Sequence, residues 1–318
     1  MKVRKAASLV LVAVLAVVTA TVPTAAQAPF ARIVAFGASL SDSGNAFALR
    51  GEASTAPDYQ VDSFLVPSAP YARGGHHFSN GATWVEQFAR SKGLAGTVRP
   101  AFRGSTANAT NYAVGGARAY EDGINVNLSA QVDAFLQQFG RVAPSDGLYT
   151  IEMGGNDIRD ALVAFASGRD GGAILQAAIG SIANNIGALY MAGARNFLVW
   201  RAPNVGLTPA IRSLGPGAVG LGTQLTVGFN AGLDGAVAQL SALPGISIVR
   251  LDAYRVLADL VAHPAAYGLA NVTTACIMPN VAPFACQNPD EFLFWDGIHP
   301  TRAVHAVIAQ EAAAALAR

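Results

Sequence analysis

Three short segments of this chain carry residues that could act together in covalent catalysis. Ser39 stands among small residues just after the apolar run Ile33–Ala35, which is typical of a buried strand. Asp296 and His299 lie close together near the C-terminus, and Asn156 follows another apolar run in the middle of the chain. An acyl-transfer site needs a hydroxyl, an imidazole, a carboxylate and an amide, so these residues predict a serine esterase.

Each of these groups has its own task. A neutral serine hydroxyl is a weak nucleophile, so it needs an imidazole to accept its proton, and the imidazole needs an acceptor that fixes its tautomer. His299 and Asp296 could supply these two functions. The oxyanion that forms on the attacked carbonyl needs fixed donors, which the backbone N–H of Ser39, a glycine N–H and an Asn amide could provide.

Four blocks of sequence occur in an order that is typical of one family. They cover residues 36–45, 111–117, 154–157 and 296–300, with the sequences FGASLSDSGN, NYAVGGA, GGND and DGIHP. On these blocks the chain resembles the GDSL-type, or SGNH, hydrolases. Further segments around Phe78 to Glu86 and Pro203 to Pro209 resemble the branch of phospholipase, lecithinase and haemolysin-like esterases. The resemblance implies hydrolysis of lipid or small-molecule carboxylic esters.

Carried over residue by residue, the resemblance gives each site residue a role. Ser39 would be the nucleophile, His299 the base and Asp296 the residue that orients the base. The oxyanion would be bound by the N–H of Ser39, by Gly116 and by Asn156. The second glycine of the Gly-Gly pair is preferred because the family glycine lies five residues after the asparagine of that block.

The chain departs from the family pattern at Ala38, where an aspartate usually precedes the nucleophile. Two interpretations stay open. The change is neutral if Ser41, Asp42 or Asn45 satisfies the backbone donors of the nucleophile turn. Alternatively, alanine opens space beside Ser39 for a bulkier acyl or alcohol group.

Each site residue also has a purely structural interpretation. Ser39 could cap a helix, Asn156 could be the N-cap of a helix that begins at Ile158, and the paired glycines could merely permit a tight turn. The remaining histidines are expected on loops or at the surface rather than as the catalytic base: His76, His77, His263 and His305.

The N-terminus is typical of an export signal. Basic residues precede an apolar stretch from Leu9 to Val22, and small residues follow, so we predict a signal peptide over residues 1–28 with cleavage after Ala26 or Ala28. The stretch is shorter than the ~20 residues of a membrane span, so no stable anchor is expected after cleavage. Residues 29–318 would form one periplasmic or extracellular domain.

Composition limits the partners. Loss of three basic residues with the leader would change the formal net charge from +1 to −2, which does not favour binding to nucleic acid. The expected partner is a lipid or small-molecule ester, and neither a metal nor an organic cofactor is required. The sequence indicates no particular oligomeric state.

Cys276 and Cys286 are the only cysteines of the chain. In an exported protein, two cysteines so close in sequence predict a local disulfide. They make a poor metal site, because His263 is the only nearby imidazole outside the catalytic block.

Apolar runs alternate with helical periodicity along the chain. Strands are predicted at residues 32–36, 110–114, 148–153, 197–200 and 246–251, and helices at 82–91, 130–139, 158–166, 174–191, 225–240, 254–261 and 302–317. This alternation predicts an α/β fold, a three-layer α/β/α sandwich around a parallel sheet of about five strands, as in flavodoxin-like folds. The apolar helices are expected to belong to the core rather than to a membrane. Ligands of such sheets bind at the carboxyl ends of the strands, where Ser39, Gly116 and Asn156 are expected.

Two alternatives to an esterase remain open. An acyltransferase would use the same residues with another alcohol in place of water, whereas an exported binding protein would keep the fold without efficient catalysis. The substrate is also open, since the aromatic residues near the site could line an acyl pocket or form a buried cap. These are Tyr59, Phe64, Tyr71, Phe284, Phe292, Phe294 and Trp295.

Overall fold

A computed structural model describes residues 30–50, 76–104, 109–277 and 285–318. The predicted signal peptide lies outside these ranges, as do four of the aromatic residues considered for an acyl pocket: Tyr59, Phe64, Tyr71 and Phe284.

The described residues form a parallel sheet of four strands in the order β1-β2-β3-β4. The strands are β1 (Arg32–Gly37), β2 (Gly147–Glu152), β3 (Asn196–Arg201) and β4 (Ser247–Asp252). The first three are almost continuously apolar because parallel strands of such a fold are covered on both faces. The predicted α/β class with a parallel sheet is confirmed.

The strand predicted at residues 110–114 is only an irregular edge segment beside β1. It runs parallel to β1, with hydrogen bonds from Ala35 N–H to Thr110 O (2.9 Å) and from Tyr112 N–H to Ala35 O (2.7 Å). Its one bridge to β1 joins Ala35 and Asn111. The side chain of Asn111 accepts the N–H of Ala113 at 3.0 Å, and this local turn interrupts the ladder.

Helices connect the strands and cover the sheet. They are α1 (Asn45–Arg50), α2 (Trp84–Ser91), α3 (Leu128–Gln138), α4 (Gly155–Ala166), α5 (Gly171–Met191), α6 (Pro209–Arg212), α7 (Pro216–Leu240), α8 (Ala253–Ala262) and α9 (Arg302–Leu316). Every predicted helix is present within a few residues, except that α7 begins at Pro216 instead of Leu225. Its first turns are rich in glycine and give no apolar periodicity, whereas Pro216 at the first helical position starts the helix.

The two faces of the sheet bury different side chains, because successive residues of a strand point to opposite faces. Phe36, Ile151 and Val199 pack against α3, α4, α5 and α7 on one face. Ala35 and Trp200 pack against α2, α8 and α9 on the other. The chain therefore has the predicted three layers.

Helix α5 is long and apolar enough to cross a membrane by length and composition. In the structure it packs against α4 and α7 and buries Leu175, Ile182, Ile186 and Leu189 in the core. These contacts agree with the expectation that the apolar helices form the interior.

A second, smaller sheet holds the C-terminal block. Strand β5 (Asn271–Ala275) pairs in parallel with β6 (Phe292–Phe294), and β6 leads directly to Asp296. The predicted disulfide between Cys276 and Cys286 follows β5. Its segment is hydrogen-bonded to the chain just before Asp296, since Cys276 N–H donates to Phe294 O at 3.0 Å and Ile277 N–H to Trp295 O at 2.9 Å.

Reduction of this disulfide is expected to lower the melting temperature without abolishing folding. The bond closes one short loop, worth about 3 kcal/mol at most, which corresponds to a decrease of at most roughly 5 °C for a chain of this size. Because the loop supports the approach to Asp296, activity should fall at a lower temperature than global unfolding. Thermal scans and residual-activity curves with and without reductant measure both effects.

The control is a variant with Cys276 and Cys286 both replaced by serine, which reductant should leave unchanged. Two free thiols in protein exported under native conditions, or identical melting curves with and without reductant, would contradict this role.

Candidate active site

Ser39 lies in the turn that follows β1, at the carboxyl edge of the sheet. It does not cap α1. The N–H groups at the start of that helix are accepted by Asp42, whose Oδ1 lies 2.6 Å from Asn45 N and whose Oδ2 lies 2.9 Å from Ala46 N. The capping interpretation of Ser39 is therefore wrong, and its hydroxyl is directed elsewhere.

The hydroxyl of Ser39 meets His299, and His299 meets Asp296. Ser39 Oγ lies 2.8 Å from His299 Nε2, and His299 Nδ1 lies 2.6 Å from Asp296 Oδ2. Because an ionised carboxylate only accepts, it places the imidazole proton on Nδ1 and leaves Nε2 to accept from the serine. The side chains of His299 and Asp296 are each 4% exposed, so water competes little for these bonds.

The loop that carries this acid and base is held rigidly. Asp296 Oδ1 accepts the backbone N–H groups of Ile298 (2.8 Å) and His299 (2.7 Å), so the carboxylate is satisfied on both oxygens. Trp295 N–H donates to His299 O at 2.7 Å. The ring of Phe78 packs against the imidazole with centroids 5.2 Å apart. These contacts fix the rotamer of His299 before any substrate arrives.

The other four histidines have partners or positions of their own, and two differ from expectation. His77 is buried and its Nε2 lies 2.8 Å from Glu86, an acidic partner that the sequence did not indicate because it comes from α2. His305 is fully buried, and its Nδ1 accepts the N–H of Trp84 at the start of α2 (3.1 Å). Burial lowers the pKa of His305 to about 3, so it stays neutral. His263 is exposed and pairs with an aspartate on α8, and the ring of His76 stacks on that of Phe47.

Asn156 lies in the first turn of α4, whose N-cap is Gly154 and not Asn156. Its Nδ2 donates to Ala117 O at 2.8 Å, and its Oδ1 accepts from Arg159 at 3.1 Å. The guanidinium can only donate, so it fixes which end of the amide is oxygen. One N–H of the amide is held by Ala117, and a second remains for a ligand in the positive field of the helix N-terminus.

The block that contains the Gly-Gly pair is tied to α4. Asp157 Oδ1 accepts the N–H groups of Ala119 (2.8 Å) and Tyr120 (3.1 Å), and burial raises the pKa of Asp157 to about 6. Gly115 N–H donates to Asp42 at 2.7 Å and is thereby used within the protein. Gly116, whose φ of 86° favours glycine, is the remaining candidate of the pair.

Glu152 is a site residue that the sequence analysis missed. It ends β2 directly opposite Gly37 of β1, and its Oε2 accepts the N–H of Ala38 at 3.0 Å. A Cβ on Gly37 would lie 3.0 Å from both Oε2 and the backbone O of Glu152, tighter than side chains usually pack, so glycine accommodates this carboxyl without a shift. The N–H of Ala38 is therefore satisfied by Glu152 and not by one of the local candidates, whereas Asp42, one of those candidates, accepts the N–H groups of Gly44, Asn45 and Ala46 farther along. The sequence offered one indication of this role, because Glu152 is a single carboxylate at the end of an apolar strand.

Burial raises the pKa of Glu152 to about 8, although hydrogen bonds from Ala38 and Ser41 act in the opposite direction. The carboxyl is therefore largely protonated at neutral pH. Ser41 also accepts the indole N–H of Trp84 at 2.9 Å, so the nucleophile turn is connected to the core of the α2 layer.

A cavity of about 90 Å³ opens beside Ser39 and extends between the sheet and helices α8 and α9. Ala38, Ser39, Glu152 and Asn156 line one part, and mostly apolar side chains of β3, α8, α9 and β6 line the rest, with Arg159 and Thr208 as further polar residues. Of the aromatic residues considered for an acyl pocket, Phe294 lines this cavity, while Phe292 and Trp295 pack beside the disulfide.

Comparison with known proteins gives consistent matches over most of the chain. The model of the GDSL-like lipase/acylhydrolase family matches residues 33–312. A GDSL esterase/lipase of Arabidopsis thaliana is 27% identical, and the alignment covers 95% of each chain. A phosphatidylcholine-sterol acyltransferase of Aeromonas hydrophila is also 27% identical with 95% of each chain covered. A solved structure of a lipolytic G-D-S-L family member from Veillonella parvula has a TM-score of 0.42 at 15% identity, covering 90% of this chain and 98% of that one.

The raised pKa of Glu152 predicts a pH effect on stability with a definite sign. The folded chain holds this proton up to about pH 8, whereas the ordinary pKa is 4.5. The contribution of the protonated carboxyl to folding stability is complete below pH 4.5 and is lost as the pH rises towards 8. Between pH 6.5 and 8, Glu152 should lower the free energy of unfolding of the parent by on the order of 2 kcal/mol. Glu152→Gln should not show this decrease.

Denaturant unfolding of both proteins at several pH values in this range measures the effect. His77, whose pKa is also raised, contributes with the same sign and is retained in the variant, so the difference isolates Glu152. Exposed Glu121, replaced by Gln, is the matched control and should leave the pH dependence unchanged. Parallel curves for the parent and Glu152→Gln would refute a buried, protonated carboxyl.

Proposed function

The chain belongs to the GDSL-like lipase/acylhydrolase family, and we propose that it is an exported esterase that hydrolyses carboxylic esters through an acyl-enzyme on Ser39. The observation that carries the proposal is the continuous chain of hydrogen bonds from Ser39 through His299 to Asp296, at 2.8 and 2.6 Å. These distances are within the range that a nucleophile, a base and its orienting group require.

The first half of the reaction forms the acyl-enzyme. Ser39 Oγ attacks the acyl carbon while its proton passes to His299 Nε2, and the imidazolium is stabilised by Asp296. The tetrahedral intermediate then collapses, and the C–O bond to the alcohol breaks as His299 returns the proton to the leaving oxygen. The alcohol departs and the acyl group remains on Ser39.

The second half releases the acid. Water attacks the acyl carbon and gives its proton to His299, which then protonates Ser39 Oγ as the acyl–serine bond breaks. Both tetrahedral intermediates carry a negative oxygen. We assign its stabilisation to the N–H of Ser39, to Gly116 and to the free amide N–H of Asn156, which the Arg159 contact keeps in orientation.

Export is the further part of the proposal. It is supported by the signal-like N-terminus and by the disulfide between Cys276 and Cys286, which suits an oxidising compartment. In this account the leader is removed after Ala26 or Ala28, and the mature single domain begins close to Pro29. N-terminal sequencing of the exported protein tests the position.

Acyl transfer is a second candidate because a relative of similar length is a phosphatidylcholine-sterol acyltransferase. The site would be the same, and an acceptor alcohol would replace water in the second half. Product analysis with labelled ester in the presence of a sterol or a simple alcohol distinguishes the two. Free acid as the dominant product supports the hydrolase, and a new ester supports the transferase.

Ser39→Ala should fold normally and lose ester turnover by several orders of magnitude. The change removes one oxygen from a partly exposed turn, whereas the covalent route disappears entirely. Steady-state hydrolysis of a nitrophenyl ester and a thermal melt measure the two effects. Ser91→Ala on α2 is the matched control and should keep the parental turnover. Turnover by Ser39→Ala near the parental rate would contradict the assignment of Ser39 as the nucleophile.

Asn156→Ala should reduce kcat by on the order of 10²–10³, the usual effect of losing one oxyanion donor. Since this amide also holds Ala117, stability is measured in parallel. Asn185→Ala, which removes a buried amide on α5 that is bonded to Ser181 and to Ser129 of α3, should leave kcat unchanged. A change confined to KM would mean that Asn156 binds the substrate without stabilising the oxyanion.

A further inference from the structure

The cavity beside Ser39 is built almost entirely from hydrocarbon away from its mouth. Its apolar walls are the ring of Trp200 of β3 and six aliphatic side chains: Val256, Leu257 and Leu260 of α8, Val304 and Ile308 of α9, and Leu293 of β6. The spacing of the residues on each helix places them on one face of that helix, towards the other. We name this space the α8–α9 cavity.

These side chains are shielded from solvent, yet they do not fill the space between them. Each of the six is at most 8% exposed. Protein interiors are close-packed, and an apolar void forfeits contacts on its lining. A void that opens beside a reactive serine and is lined by aliphatic side chains is suited to an alkyl chain, which would restore those contacts.

The orientation of the site indicates which part of an ester enters. Ser39 and Asn156, which bind the acyl carbon and its oxyanion in the proposed mechanism, line the cavity. His299, which would protonate the leaving alcohol, does not line it. The acyl group stays on Ser39 while the alcohol leaves and water enters, so an enclosed space fits the group that remains.

We propose that the α8–α9 cavity binds the acyl chain, so that the enzyme prefers esters of unbranched, medium-length fatty acids over acetate esters. This inference rests on the proposed function, because it takes Ser39 as the acylated residue.

Ala38 supports this assignment at the mouth of the cavity. It lines the cavity, and its N–H is bonded to the Glu152 carboxyl at 3.0 Å. An aspartate at this position would place a second carboxyl beside Glu152 and a charge at the entrance for the chain. Alanine adds neither a charge nor extra bulk beside the Glu152 carboxyl at this entrance.

Ala38→Asp should therefore reduce kcat/KM for octanoate relative to acetate nitrophenyl esters. Ala38→Asn, which has the same size without the charge, separates the steric from the electrostatic effect. A larger effect of Asp than of Asn on the octanoate-to-acetate ratio supports an apolar entrance. Equal rate changes for both esters in both variants would overturn this role of Ala38.

The direct test is a series of acetate, butyrate, hexanoate and octanoate nitrophenyl esters. In the parent, kcat/KM should rise by up to about fourfold per added methylene until the cavity is filled. Val304→Phe fills the cavity and should lower the octanoate-to-acetate ratio by about tenfold or more. Val237→Phe makes the same change on α7, on the opposite face of the sheet, and should leave the ratio unchanged.

If Val304→Phe fails to fold, Leu260→Ala enlarges the cavity instead and should move the preferred ester to a longer chain. Leu189→Ala, equally buried on α5, is its control. Chain-length profiles that match the parent in the folded cavity variants would overturn the proposal.

A binding measurement keeps this inference separate from the proposed function. Octanoate should displace a fluorescent fatty acid from Ser39→Ala protein, and much more weakly when Val304→Phe is added. Failure of Ser39-dependent acetate hydrolysis would refute the esterase mechanism alone. Octanoate binding that is unaffected by Val304→Phe would refute the acyl site alone.

Discussion

Parallel pairing of β1 with β2 is the constraint on which the rest of the site depends. The register sets Gly37 beside Glu152 at the ends of the two strands, so the turns that follow both strands emerge next to each other. One turn carries Ser39 and the other leads into α4 with Asn156. Because the backbone pairing fixes this distance, the proposed nucleophile and oxyanion donor need no induced rearrangement to meet.

The acid and base reach the same edge by a separate route. Strands β5 and β6 form the small second sheet, the segment of the disulfide is hydrogen-bonded to the chain after β6, and the loop that follows places His299 against Ser39. Burying a carboxylate is costly unless its oxygens are satisfied, and here two backbone N–H groups and the imidazole satisfy them. The arrangement therefore holds the imidazole in the tautomer that the proposed reaction requires.

The sequence was informative where the chemistry is local. Ser39, Asn156 and the pair Asp296 and His299 lie in short motifs, and strands buried on both faces give long apolar runs, so the fold and the principal residues could be predicted. Partners that come from distant segments could not. Glu152 meets Ala38 only through the β1–β2 register, and His77 meets Glu86 only because α2 packs beside its loop.

The edge segment at residues 110–114 and the α8–α9 cavity were unpredictable for related reasons. Apolar composition marked the segment as a strand, but the side-chain hydrogen bond of Asn111 to Ala113 decides that it forms no regular ladder. The cavity walls look like ordinary core residues in the sequence. Only the packing of α8 against α9 and β6 leaves space between them.

The central claim is that Ser39 is a nucleophile activated by His299. A fluorophosphonate probe, followed by intact-mass and peptide mapping of the labelled protein, tests it most directly, because the phosphorus atom reacts only with an activated hydroxyl. The account predicts one label per chain, located on Ser39, with loss of labelling in His299→Ala. Labelling at another serine, or labelling of Ser39 that persists without His299, would contradict it.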